Sequence, residues 1–163
     1  MLNYAKKHPE INWIFKPHPN LRHMLITTKT MNETEIDAYW ASWAKVGQVH
    51  EVGDYLDLFE QSSLMITDSG SFLTEYFYTS QPVIHLRRAD SVPFNSSVKK
   101  IIENYYQAYN QEELEKYLDM ILVDKKDPMK EQRLKALNSD NFKLQYAAKN
   151  ILDDIKKELK IDE

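Results

Sequence analysis

The chain contains no cysteine. That removes disulfides, thiolate zinc sites and cysteine nucleophiles, and it fits a reducing compartment. Glycine is almost as scarce, with only Gly47, Gly53 and Gly70 among 163 residues, so each marks a backbone position that needs a reason. No stretch is long and apolar enough to cross a bilayer. Charge of one sign is not in excess either. A net charge of −4 leaves no electrostatic footprint for nucleic acid. The spacing of histidines and acids offers no metal site, and no cofactor is expected. What is present is ordinary for a globular protein: 42% hydrophobic and 28% charged residues. The length suffices for a real core, and one domain over residues 1–163 is expected.

One stretch organises the rest. Leu64-Met65-Ile66 leads into the polar tetrad Asp68-Ser69-Gly70-Ser71, and the amphipathic run Phe72 to Tyr78 follows. The pattern predicts a buried strand, a tight turn and the start of a helix. Such a turn aims backbone N–H groups and the positive helix end at one spot, which suits a phosphate. Ser69 and Ser71 add hydroxyls, and Gly70 lets a ligand approach the backbone. The plainer reading makes Ser69 or Ser71 an N-cap. Gln81-Pro82 breaks the chain before a second strand, Val83-Ile84-His85-Leu86.

Upstream, Ile11 to Phe15 reads as a strand ending in Lys16-Pro17-His18-Pro19, where two prolines hold a histidine outside any helix. Asn32-x-x-Glu35 is a capping box ahead of a helix over Glu33 to Val46, whose Ile36, Tyr39, Trp40 and Trp43 share one face. A short strand over Gln48 to Val52 and a helix capped by Asp54 come next. Downstream, Arg87 and Arg88 open a polar loop after a strand end, in reach of a phosphate or simply solvated. A helix from Val98, an edge strand over Tyr105 to Tyr109 and a capping box at Asn110-x-x-Glu113 are predicted. Leu114, Tyr117, Leu118, Ile121 and Leu122 then mark a helical face. Asp127-Pro128 starts another helix, with Pro128 at its first position. Leu144, Ala148, Ile151, Ile155 and Leu159 mark a last helix with a charged outer face. The alternating order argues for an α/β fold, a parallel sheet with helices on both faces. In one such sheet His18 and Ser69 to Ser71 share an edge. Glu75, one turn into the helix, suits ribose hydroxyls, or stabilises the helix dipole.

Three segments together, Lys16 to Pro19, Tyr55 to Ser71 and Gln81 to Ile84, resemble the C-terminal half of bacterial CDP-glycerol glycerophosphotransferases. These are the teichoic-acid polymerases and primases, with the two-domain GT-B fold. Asp68, Ser71 and Glu75 match the family's T-D-Y-S-S turn and its following acid. Ser69 stands for the usual Tyr and Gly70 for the first Ser. The resemblance implies a Rossmann-like half that binds a cytidine nucleotide donor without metal. It implies His18 as catalytic donor, with Lys16, Ser69, Gly70, Ser71, Arg87 and Arg88 on the phosphates. Glu75 would meet the ribose, and Asp68 would support the turn. It further implies an acceptor-binding domain outside this chain, and a cytoplasmic setting that reaches the inner membrane face through a full-length enzyme. Capsule glycosyltransferases with CMP-activated sugars carry similar His-Pro and paired-Ser motifs. A nucleotide- or partner-binding module without catalysis is the remaining alternative.

Overall fold

The computed structural model describes residues 1–139, 142 and 147–159. The chain divides into two compact units, Met1–Leu58 and Phe59–Glu163, and both are α/β.

In the first unit, helix α1 (Leu2–Lys7) precedes strand β1 (Trp13–Phe15). Two helices, α2 (Leu21–Thr27) and α3 (Glu33–Ala44), then carry the chain to β2 (Gly47–Val49), which pairs parallel with β1. The register sets Trp13 beside Gly47, and a Cβ at Gly47 would lie 2.3 Å from the Trp13 carbonyl oxygen. Glycine is required there by this close approach. The capping box forms as the spacing predicts. Asn32 Oδ1 accepts from the Glu35 N–H at 3.0 Å, and Glu35 Oε2 accepts from the Asn32 N–H at 2.8 Å. The aromatic face of α3 is core: Ile36 and Trp43 are buried. Phe15 stacks on Trp43, with ring centroids 5.2 Å apart. Trp40 sits at the rim and donates to Glu51 at 2.7 Å. Helix α4 (Leu56–Gln61), opened by Asp54 accepting from the Leu56 N–H at 3.0 Å, leads out of this unit.

The second unit holds a three-stranded parallel sheet, β3 (Met65–Thr67), β4 (Val83–Leu86) and β5 (Tyr106–Ala108), with β4 in the centre. The central place explains the apolar sequence of β4, because a strand covered on both faces alternates little. Val83 and Ile84 are fully buried, and His85 is 3% exposed. Helix α5 (Gly70–Glu75) and a 3-10 turn (Tyr76–Thr79) link β3 to β4, and α6 (Ser96–Ile102) links β4 to β5. Leu73, Tyr76 and Phe77 bury the inner side of the first crossover. The Tyr105 hydroxyl ties the two crossovers by donating to the Leu73 carbonyl at 2.6 Å.

Helix α7 (Gln111–Leu118) runs on into a π-helical turn (Asp119–Val123), and α8 (Lys130–Leu137) and α9 (Ala147–Leu159) follow. At the N-terminus of α7, Asn110 Oδ1 accepts from the Glu113 N–H at 2.9 Å. The reciprocal bond shifts by one residue, Glu113 Oε2 taking the Tyr109 N–H at 2.8 Å.

Three expectations change. The predicted single sheet is two smaller ones, so β1 and β3 do not share a sheet and the shared-edge argument holds only within each. Helix α8 starts at Lys130, not at Pro128, because Asp127 is used elsewhere. Its carboxylate accepts from the Tyr106 hydroxyl at 2.7 Å and pairs with the Arg133 guanidinium. On α9, Ile151, Ile155 and Leu159 are exposed, although their spacing predicts a covered face; Leu144 lies outside the described residues.

Candidate functional site

Lys16 and His18 follow β1 in the first unit. Pro17 between them is buried, and His18 is exposed. The prolines do hold the histidine in a turn. The Leu21 N–H donates to the His18 carbonyl at 2.8 Å, and the Asn20 N–H donates to His18 Nδ1 at 3.1 Å. With Nδ1 accepting, the neutral ring carries its proton on Nε2. Nε2 is therefore the ring's hydrogen-bond donor.

The tetrad lies in the second unit. Asp68 follows β3, and Gly70 opens α5. The Ser69 N–H donates to Thr67 Oγ1 at 3.0 Å, closing a tight turn, and the Ser69 carbonyl accepts the Leu73 N–H at 3.0 Å. Ser69 thus occupies the N-cap position, yet its side chain makes no cap bond. Its hydroxyl instead meets the Ser71 hydroxyl at 3.3 Å. The plain capping role fails at Ser69, and two hydroxyls stand together at the end of a parallel strand. Glu75 is exposed at the C-terminal end of the same helix.

The parallel register, with Thr67 beside His85, sets the residues after β4 next to the tetrad. Arg88 reaches Asp68 at 3.8 Å and Asp90 at 3.5 Å, with all three side chains mostly exposed. A phosphate at this edge would compete with both carboxylates for that guanidinium. Arg87 continues the ladder by donating its N–H to the Ala108 carbonyl at 2.8 Å. Burial lowers the pKa of His85, and the charge of Arg87 lowers it further, against the opposing pull of Asp68. Gly70 has an explanation the sequence did not suggest: a Cβ there would stand 3.3 Å from Phe94 Cε1, so the loop after β4 folds against the tetrad.

The structure therefore gathers Asp68, Ser69, Gly70, Ser71 and Arg88 at one sheet end, with Arg87 one residue away. Lys16 and His18 belong to the other unit. Among the described residues no group of three His, Asp or Glu side chains is placed to hold a metal ion, and no helix is long and apolar enough to cross a membrane. Sequence reasoning passed over His85 and Phe94. The signal for His85 was available: one titratable residue inside an apolar strand, two places before paired arginines. Phe94 had none, because a lone aromatic in a polar loop does not disclose what it touches. Comparison with protein-family models, with curated proteins and with solved structures returns no match.

Proposed function

We propose that the chain is the donor-binding half of a CDP-glycerol glycerophosphotransferase-like, GT-B enzyme, holding a cytidine diphosphate donor at the Asp68 to Ser71 turn. The observation that carries this is the paired Ser69 and Ser71 hydroxyls, not engaged in capping, at a parallel strand end beside the arginines that follow β4. Parallel sheets bind ligands at such ends. Transfer of glycerol phosphate breaks the donor pyrophosphate, forms a new phosphodiester on an acceptor hydroxyl and releases CMP. Negative charge builds on the leaving phosphate, so positioning and electrostatic stabilisation are what a protein can contribute. Ser69, Ser71 and the Gly70 backbone would hold the pyrophosphate, with Arg88 offsetting its charge. Glu75 would take the ribose hydroxyls. The acceptor would come from another domain working at the inner membrane face. The paired-Ser and His-Pro motifs equally suit a CMP-sugar glycosyltransferase.

Titration with CMP, CDP, UDP and ADP by calorimetry tests the reading. CDP should bind best. Ser71→Ala should weaken CDP by about 1.5–3 kcal/mol, the usual worth of a hydrogen bond to a charged group, and leave cytidine binding unchanged. An equal response to all four nucleotides removes the cytidine claim, and no response removes the donor site.

A further inference from the structure

Arg87 and Arg88 are neighbours in sequence but not in surroundings. Arg88 pairs with Asp68 and Asp90. Arg87 lines a cavity of about 260 Å³ together with Ser91, Phe94, Lys99 and Gln107. The divergence falls where the strand ends: the Arg87 N–H still makes a ladder bond to the Ala108 carbonyl, and Arg88 begins the loop. His85 and Arg87, two residues apart, share a face, and Gln107 joins it as the cross-strand partner of His85. Phe94 closes over them, its ring 5.8 Å from that of His85. Two buried nitrogens in this cluster, Arg87 Nε and His85 Nδ1, have no hydrogen-bond partner. Buried polar atoms are seldom left so, and such an exception in a cluster beside a cavity points to a ligand.

The lining states what that ligand is. Two cations, a hydroxyl and an amide surround one space, against a single carboxylate, Glu103. A guanidinium fork and an ammonium around one space suit a dianion with several acceptor oxygens, and a phosphate monoester supplies three of them with up to two negative charges. Pro93, Phe94 and Ile102 add an apolar wall, so the phosphate carries an organic body. The geometry points to a binding site for an organic phosphate monoester, with Arg87 and Lys99 on the phosphate and Phe94 against the body. This site is separate from the Ser69–Ser71 turn and stands whether or not that turn binds a nucleotide.

Phenyl phosphate, inorganic phosphate and phenol, titrated into the full chain and followed by NMR at the Gln107 side-chain amide and the Phe94 ring, test it. Phenyl phosphate shifts both signals saturably and binds more tightly than inorganic phosphate, while phenol shifts neither. Lys99→Gln, a substitution at an exposed position that spares the fold, and Arg87→Gln each weaken phenyl phosphate by about tenfold or more, as loss of a charged hydrogen bond requires. The assignment is overturned if both Lys99→Gln and Arg87→Gln bind as wild type does, if phenol binds as well as phenyl phosphate, or if only the Asp68 to Ser71 amides respond.

Discussion

Arg133 and Arg88 each pair with an aspartate, under opposite conditions. Arg133 is fully buried. Its Nε donates to the Ser80 carbonyl at 2.8 Å, and its terminal nitrogen pairs with Asp127. The Tyr106 hydroxyl donates to the other Asp127 oxygen, and that same hydroxyl accepts the Met129 N–H at 3.2 Å. One guanidinium thereby joins the turn before β4, strand β5 and the start of α8. Arg88 is 65% exposed and divides itself between two carboxylates at 3.8 and 3.5 Å. The difference teaches where each charge acts. A buried pair is held because losing one member strands the other without water. An exposed pair exchanges readily with solvent, and each carboxylate holds Arg88 only loosely.

The largest expected effect breaks the buried member. Arg133→Ala should cost about 3–5 kcal/mol of stability in denaturant unfolding, the usual consequence of stranding half of a buried ion pair. Arg133→Met combined with Asp127→Asn should recover part of it. A loss under 1 kcal/mol would place Arg133 on the same footing as Arg88.

Alkali probes the same cluster through Tyr106, whose pKa is pushed up to about 12 by burial first and then by its bond to Asp127. Because the folded value lies above the ordinary one near 10, the neutral phenol favours the fold. That contribution is complete below about pH 10 and is lost as pH rises through about 12. Burial raises Tyr105 in the same direction. Unfolding followed against pH should steepen over this window, and Tyr106→Phe should flatten it. An identical alkaline limb in the variant would exclude Tyr106 as its source.

Gly70→Val should be milder than the loss of Arg133, costing about 1–3 kcal/mol, the range for overpacking, because the new side chain meets the Phe94 ring. Phe94→Ala should relieve it. If the double variant is no more stable than Gly70→Val alone, the contact with Phe94 is not the reason for glycine.

The smallest effect is expected at the exposed pair. Asp68→Asn should change stability by about 0–1 kcal/mol, and by less in high salt. A larger loss in thermal melts would make Asp68 a structural residue and erase the contrast with Asp127.

Local chemistry was legible in the chain, and assembly was not. The capping box at Asn32 and Glu35, the breaks at Pro17 and Pro82, and the strand–turn–helix at Ile66 to Phe72 all follow from bonds and dihedrals within a few residues, so the order of letters determines them. The same locality made the candidate tetrad visible. Tertiary structure decided the rest. Strand pairing depends on which backbones meet, and it split the expected sheet into β1–β2 and β3–β4–β5. Asp127 looked like the opening of a helix because nothing nearby in sequence shows that Tyr106 and Arg133 compete for its carboxylate. Nor could the sequence show that a side chain at Gly70 would meet the ring of Phe94, far along the chain. Arg87 and Arg88 read as one pair, and only the end of β4 and the fold of the following loop sent one into a cavity and the other to Asp68.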